Sequence, residues 1–293
     1  MTGFKRIGVL AHPTRPQSAP LAERIAGGLA VRGLDIWQFA RWTDEDVLAR
    51  VSSTDLVIAI GGDGAMLRAA RVCAPFSVPV LGINMGHLGF LTEIRDPDTW
   101  ETHLDAVLNG QFWIEQRMML RLSVCRSGED EPSLTADALN DVVVSRGAFA
   151  GVAHFDAYID GGWISRYHAD GLIIASASGS TAYALACGGP ILPPELRNIL
   201  MVPVAPHLSL DRPIVLPEGA KVEVEVAPDR AIDAALTADG AQIGELRSGD
   251  RLRVEASPYV SQFIRLRERS YFYRSLLDRL EPRISLPSPG GEV

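Results

Sequence analysis

The stretch IAIGGDGAMLRAAR, residues 58–71, joins an apolar run to a helical one through a turn made almost entirely of glycine. The apolar run Leu56 to Ile60 reads as a strand, Gly61-Gly62-Asp63-Gly64 as the turn, and Ala65 to Cys73 as a helix. A strand that enters a helix through glycines presents bare backbone N–H groups at a helix N-terminus, a natural seat for phosphate oxygens. Three glycines also permit positive φ and a close approach of backbone to ligand. The one side chain in the turn is a carboxylate, which repels phosphate. It suits a group that takes a proton from an attacking hydroxyl or helps hold Mg²⁺ between phosphates, and this points to a phosphotransferase. The plainer alternative is a tight αβ turn in which Asp63 caps the helix.

Working outward, strands and helices alternate. Lys5 to Ala11, Leu34 to Phe39, Leu56 to Ile60 and Val78 to Ile83 are short apolar strand candidates. Between them, Leu21 to Arg32 carries helical spacing at Leu21, Ile25 and Leu29, and Asp44 to Val51 and Asp98 to Leu108 are further helices. Such alternation predicts a parallel sheet covered by helices, with ligands beyond the carboxyl ends of its strands. After about Gln116 the period changes to two, as in Leu120, Leu122 and Val124 or in KVEVEVA from Lys221. Short strands are also expected at Val142 to Val144, Phe155 to Ile159, Leu172 to Ala175, Arg251 to Glu255 and Gln262 to Leu266. The expected fold is therefore α/β plus all-β. It has a Rossmann-like parallel α/β domain over 1–116 and an antiparallel β-rich domain over 117–267. Gly179 to Ala186 reads as a short helix inside the second domain, Ser270 to Leu280 as an amphipathic helix, and 285–293 as a disordered tail.

At 293 residues the chain has room for two domains. A net charge of −8 argues against a general nucleic-acid or anionic-membrane surface. Lys5 and Lys221 are the two lysines, so no P-loop lysine is available and phosphate recognition must rely on arginine, backbone amides or metal. Cys73, Cys125 and Cys187 are widely spaced and odd in number, which favours buried, inert thiols in a reducing cytosol. No run reaches membrane-spanning length, and the expected location is cytoplasmic. His12, His87, His103, His154 and His207 show no metal-ligand spacing and read as surface or locally bonded groups. Arg15, Arg265, Arg267 and Arg269 could meet phosphate, but solvated faces or interface pairs are the simpler expectation.

Three further strings carry chemistry. NMGHLGFL (84–91) leaves the fourth strand beside the loop that releases Asp63, so the two loops can wall a cleft. Asn140-Asp141 is either a turn or a pair able to bond both hydroxyls of a ribose. The run from Asp170 through Ser176, Ser178, Ser180 and Thr181 to Tyr183 brings small hydroxyl residues to a helix start, ahead of an aromatic face. These hydroxyls can cap the helix or bind a phosphate or a flat base.

GGDG (61–64), NMGHLGFL (84–91), ALND (138–141) and DGLIIASASGSTAYALACGGPIL (170–192) together resemble the motif set of the bacterial NAD kinases, in that family's order and at similar spacing. TADGAQIGELRSGDRL (237–252) fits the family's late Asp-Gly segment. The resemblance implies transfer of the γ-phosphoryl of ATP to the 2′-hydroxyl of the NAD adenosine ribose, giving NADP. This is a phosphotransferase reaction on an alcohol group that uses a divalent metal such as Mg²⁺. It also implies a β-sandwich-like second domain, a homodimer or homotetramer, and a final helix (268–284) that packs back on the first domain. No nucleic acid or membrane partner is expected.

On the same resemblance Asp63 takes the general-base position, and Gly61, Gly62 and Gly64 form the phosphate-donor loop, with Arg68 following on the phosphate side. Asn140 and Asp141 match the ribose-binding pair. Asp170, Thr181, Ala182, Tyr183, Ala184, Leu185 and Ala186 match the dinucleotide-binding stretch, and Gln242 follows in the late segment. His168 stands where relatives place a residue affecting NAD versus NADH choice. No residue is assigned as a direct metal ligand.

The chain departs from the family pattern at several points. Asp141 replaces a usual Glu, and Ser176-Ala177-Ser178-Gly179-Ser180-Thr181 replaces a usual Thr-Pro-Thr-Gly-Ser-Thr. An extra Ala241 separates Asp239-Gly240 from Gln242. Two rival readings share part of the signal. One is a lipid kinase of the diacylglycerol type, which shares GGDG. The other is a dinucleotide sensor without catalysis.

Overall fold

The computed structural model of the chain describes residues 3–12, 14–86, 89–147, 152–228 and 233–280. His87 and Leu88 of the 84–91 loop, residues 281–284 of the expected final helix and the 285–293 tail lie outside the described residues.

The first part builds from strands β1 (Arg6–Leu10), β2 (Asp35–Phe39), β3 (Leu56–Gly61) and β4 (Val80–Asn84), parallel in the order β2-β1-β3-β4. Every residue of β3 is buried, as an apolar strand covered on both faces must be. Helices α1 (Ser18–Val31) and α4 (Trp100–Leu108) cover one face, where Ile7, Val9, Ile58 and Ile60 meet Leu21, Ile25, Leu29 and Trp100. Helices α2 (Asp44–Val51) and α3 (Asp63–Cys73) cover the other, where Val57 and Ala59 meet Val47, Met66 and Ala69. Helix α2 starts on a reciprocal capping box. The Asp46 amide donates to the Thr43 hydroxyl, and the Thr43 amide donates to the Asp46 carboxylate at 2.7 Å. The expected helix over 98–108 is a 3₁₀ turn, Pro97–Thr99, followed by α4. Proline suits that first turn because its missing N–H has no partner there to lose.

The sheet does not stop at β4. The last strand, β16 (Arg251–Arg265), runs for 15 residues and was expected as two short pieces. One of its edges pairs along its length with β5 (Trp113–Cys125). Its other edge pairs with β13 (Val222–Val226) near the start and with β4, in parallel, near the end. A shift in register between Ala256 and Val260 lets one strand serve both geometries. Beyond β13 lie β8 (Ala153–Ile159) and β9 (Gly162–Ala169), and β6 (Pro132–Ala138) pairs with β5.

A second sheet, antiparallel throughout, runs in the order β12 (Ile214–Pro217), β11 (Asn198–Val204), β10 (Gly171–Ser176), β7 (Asp141–Arg146), β14 (Ala234–Ala238) and β15 (Ala241–Leu246). The two sheets enclose a core that includes Leu120, Val142, Phe155, Tyr167, Ile174, Val224 and Val254. The architecture is thus α/β followed by a β-rich part, as the change of hydrophobic period predicts, and the two facing sheets form the sandwich that the family resemblance implies. The strands with weak alternation, β6, β9, β12 and β15, are not separable in the sequence from their turns.

The short helix expected over 179–186 is broken in two. A 3₁₀ turn, Ser178–Thr181, ends at Ala182, whose φ of −104° and ψ of −126° leave the helical region before α5 (Tyr183–Ala186) begins. The last element, α6 (Tyr271–Leu280), buries Tyr271 and Phe272, and the Phe272 ring lies 6.4 Å from that of Phe90. Among the described residues no helix is long and apolar enough to cross a membrane.

Candidate functional site

Helix α3 begins at Asp63 itself, with Gly62 as its N-cap. Gly62 has φ −101° and Gly64 lies in the first helical turn, so neither needs positive φ. Their value is space instead: a Cβ added at Gly62 or Gly64 meets nothing within 4 Å, so bare backbone faces open space at this helix N-terminus.

Asp63 does not cap its own helix. Its two carboxylate oxygens accept from the amides of Phe90 (2.8 Å) and Leu91 (2.9 Å), on the loop that leaves β4. That loop comes so near that a Cβ at Gly89 would sit 2.0 Å from the carboxylate. Gly89 is therefore glycine because the acid occupies the place of its side chain.

A second acid does the same for the next loop. Asp239 and Gly240 form a two-residue hairpin turn between β14 and β15, with φ of 49° and 77°. Both values fall in the left-handed region that an Asp-Gly pair tolerates. Ala241 faces Ala238 across that turn, which accounts for its presence before Gln242. The Asp239 carboxylate accepts from the amides of Leu139 (2.9 Å), Asn140 (2.7 Å) and Asp141 (3.3 Å), fixing the loop that enters β7. This role for Asp239 was not legible in the sequence.

Ser176 holds the same loop from the other side. Its hydroxyl donates to the Leu139 carbonyl and its amide to the Asn140 carbonyl. Gly179 passes under it, and a Cβ there would lie 2.0 Å from the Asn140 carbonyl oxygen. Ser180 is fully buried and ties the 3₁₀ turn to the amide of Leu192 (3.0 Å). These two hydroxyls thus hold loops in place, and the Ser176 hydroxyl in addition accepts from the Gly179 amide at the start of the turn (3.3 Å), the capping role considered above.

The clamped loops meet at a cavity of about 220 Å³. Asp63, Asn140, Thr181 and Ala182 line it, with Ser178 and Arg117, and Phe90 and Leu91 close one side. A space of this size takes a sugar and a phosphoryl group, and a dinucleotide would have to extend out of it. Of the residues singled out from sequence, four therefore converge in one cavity. Arg117 was missed because a lone arginine on an alternating strand carries no motif.

The other candidates stand elsewhere. Arg68 bonds the Asp44 carboxylate (2.7 Å) and the Trp42 carbonyl (3.0 Å), with its guanidinium 3.9 Å from the Trp42 ring. Asp141 is buried as the first residue of β7, where burial and the neighbouring Asp239 push its carboxyl up to about 7. Asp170 pairs with Arg146 at 2.8 Å. Tyr183 is exposed, Ala184 is buried, Leu185 is half-buried and Ala186 is exposed. Gln242 lies exposed on the edge strand β15. His168 stacks on His154 with ring centroids 4.3 Å apart, and its carbonyl accepts from the His207 amide. These histidines, scattered in sequence, are neighbours in space. Cys73 is buried, whereas Cys125 and Cys187 are only half-buried, so the expectation of buried thiols holds for Cys73 alone. Arg265 is fully buried in an ionic cluster, and Arg267 is paired beside it, so of the two expectations, solvated faces or interface pairs, these residues follow the pairing one. Among the described residues no group of three or more His, Cys, Asp or Glu is arranged to hold a metal ion.

The sequence matches the ATP-NAD kinase N-terminal domain family over residues 37–112 and the ATP-NAD kinase C-terminal domain family over residues 139–266. It is 39% identical over 280 residues to a protein named NAD kinase from Moorella thermoacetica, covering 92% of this chain and 87% of the relative. The chain belongs to the NAD kinase family. An NAD kinase of Chloroflexus aurantiacus is 38% identical, covering 94% of this chain and 99% of the relative. A crystal structure of an NAD kinase from Archaeoglobus fulgidus in complex with ATP matches with a TM-score of 0.72 at 25% identity, over 93% of this chain and 97% of that one. Yeast NADH kinase complexed with NADH shares the fold, with a TM-score of 0.85 at 22% identity over 97% of this chain and 91% of that one. The two family matches flank Arg117, and the second includes both Asn140 and Asp239. Membership of this NAD kinase family displaces the lipid-kinase alternative.

Proposed function

We propose that this chain transfers the γ-phosphoryl of ATP to the 2′-hydroxyl of the adenosine ribose of NAD, making NADP, with Asp63 as the general base. The observation that carries the reading is the shared cavity, which joins Asp63 to Asn140, Thr181 and Ala182 from the second sheet. Asn140 would fix the ribose, so that the hydroxyl to be phosphorylated lies within ~3 Å of Asp63, the reach that proton transfer needs. The two backbone amides on Asp63 support this role. They fix the carboxylate in place and leave its remaining lone pairs for a proton. The backbone at Gly62 and Gly64, which faces open space, would receive phosphate oxygens of the donor. Asp141, His168, Asp170, the 183–186 segment and Gln242 are proposed to contact the rest of the dinucleotide, outside the cavity.

We further propose that a divalent ion, Mg²⁺, enters on the triphosphate rather than in a protein cage. The single cavity carboxylate, Asp63, fits that arrangement, because Mg²⁺ commonly keeps several waters and is bound through phosphates with one or two carboxylates. When bound, it would spread the charge of the phosphates. A homodimer or homotetramer, a cytoplasmic location and a domain division at residue 116 are proposals of the same standing. Contact between Phe272 and Phe90 supports the return of the final helix to the first domain.

The experiment is a coupled assay of NADP formation from NAD with ATP and Mg²⁺, repeated with NADH and with polyphosphate. NADP appearing with consumption of ATP is the expected result. Binding of NAD with no turnover under any donor would make the protein a sensor and end this reading.

A further inference from the structure

Arg117 belongs to a buried ionic cluster that ties the ends of β5 and β16 to α6. Arg265, with no exposed surface, bonds Glu115 through Nε (2.9 Å) and Nη2 (2.7 Å), and it bonds the Leu91 carbonyl (2.8 Å). Arg265 and Arg267 both pair with Glu93. Arg117 bonds Glu115 through Nε at 2.9 Å, and its Nη2 donates to the Tyr271 hydroxyl, which in turn donates to Glu115. Burial pushes the Glu115 carboxyl up, but Arg117 and Arg265 beside it overcome that and hold it at about 2, so it is ionised. The cluster therefore sets three guanidinium groups, Arg117, Arg265 and Arg267, against two carboxylates, Glu93 and Glu115. One positive charge is left over.

Of the three guanidinium groups, Arg117 is the one that lines the cavity. Arg265 and Arg267 are taken up by the two glutamates and by backbone carbonyls. Arg117 lines the cavity instead, where its Nη1 reaches the Ser178 hydroxyl at 3.3 Å. Three of its five N–H groups have these partners, and it is only 3% exposed. A buried guanidinium that shares its one carboxylate, Glu115, with a second arginine and keeps spare donors is costly unless a further anion meets it. Asp63 lines the same cavity, yet the two form no ion pair. The gap between them suits a ligand with a hydroxyl for the acid and anionic oxygens for the guanidinium.

We propose that Arg117 contacts the phosphoryl group in transfer, a role that rests on the kinase reading above. In the step, the bond from phosphorus to the bridging oxygen of the donor breaks as the bond to the sugar oxygen forms. The sugar proton passes to Asp63, and the donor leaves as the diphosphate. Arg117 neither gives nor takes a proton; its charge balances the equatorial oxygens, where charge builds up. The cluster serves to hold a guanidinium rigidly at that point, so no reorganisation is needed as charge develops.

The test compares wild type, Arg117→Lys and Arg117→Gln in steady-state NADP formation, with equilibrium binding of NAD and thermal unfolding of each variant. The expected result for Arg117→Gln is a kcat lowered by about 10²–10³-fold, the loss typical of removing one such donor, with KM and Kd for NAD changed by less than about 3-fold. Arg117→Lys keeps the charge without the fork and should lose only about 10-fold in kcat. If Arg117→Gln does not fold, Arg117→Lys decides alone. A folded variant with wild-type kcat overturns the proposal. So does a loss confined to KM for NAD, or a loss that disappears when the variant is assayed far below its unfolding temperature. If the wild type itself makes no NADP, the kinase reading fails first and takes this inference with it; NADP from wild type with unaffected variants fails this inference alone.

Discussion

Two aspartates perform the same local task on opposite sides of the site. Asp63, at the carboxyl end of a parallel strand, grips the amides of Phe90 and Leu91. Asp239, at the tip of an antiparallel hairpin, grips those of Leu139, Asn140 and Asp141. Each anchors a loop from a neighbouring strand, and beside each anchored loop a glycine, Gly89 or Gly179, allows an approach that no side chain would permit. The difference is where the acid faces. Asp63 lines the cavity and can take part in chemistry, whereas Asp239 is half-buried, bonds the Asn140 amide and is not part of the cavity lining. A carboxylate that binds backbone amides is thus not by that fact catalytic. What separates the two is access to the cavity.

This contrast can be broken most sharply by Asp63→Asn. It keeps the shape of the side chain and removes the base, so NADP formation should fall by about 10²–10⁴-fold while NAD still binds; turnover near wild type would place the base elsewhere. Next comes Gly179→Ala, whose Cβ would strike the Asn140 backbone, against Gly89→Ala, whose Cβ would strike the Asp63 side chain. The first should weaken NAD binding and lower the unfolding temperature. The second should leave NAD binding nearly intact and lower kcat by about 10-fold or more, as small misplacements of a catalytic group do. Equal effects of the two on NAD affinity would show that the loops act as one unit.

Asp239→Ala removes two carboxylate oxygens that accept three hydrogen bonds, and a residue that tolerates positive φ. It should cost about 3 kcal/mol in denaturant unfolding, since buried amides lose their partners. Raising KM for NAD more than it lowers kcat would match its bond to the Asn140 amide.

The smallest effect concerns pH. The Asp141 carboxyl is pushed up to about 7 from an ordinary 3.8, by burial first and by Asp239 second. The folded protein therefore binds more protons here than the unfolded chain between these values, and this contribution to stability is lost as pH rises through about 7. Asp141→Asn removes that loss. Its unfolding temperature relative to wild type should rise from about pH 4 to about pH 7 and level off above that, and a constant difference across the range would show that Asp141 titrates normally.

Most of the α/β half was legible because its signals are local. Apolar strands such as Leu56 to Ile60, the capping sequence at Thr43 and the glycine turn at 61–64 each specify their conformation within a few residues. The sandwich was legible where alternation was strict, as in Val222–Val226, and obscure where it was weak, as in Gly162–Ala169. The 15-residue strand β16 was read as two because its bulge interrupts the period. The stacked pair His154 and His168 was out of reach of spacing, since strand pairing and not sequence distance brings them together.

By itself the sequence determined the alternating α/β half, the change to a β-rich half and the acid held among glycines, because hydrophobic period and backbone permissiveness act over short distances. Only the tertiary structure decided which acid faces the cavity and which only holds a loop. It also decided that three guanidinium groups share two carboxylates, with Arg117 the one that lines the cavity. Burial and charge balance are sums over groups far apart in the chain, from Glu93 to Tyr271, and no local pattern carries such a sum.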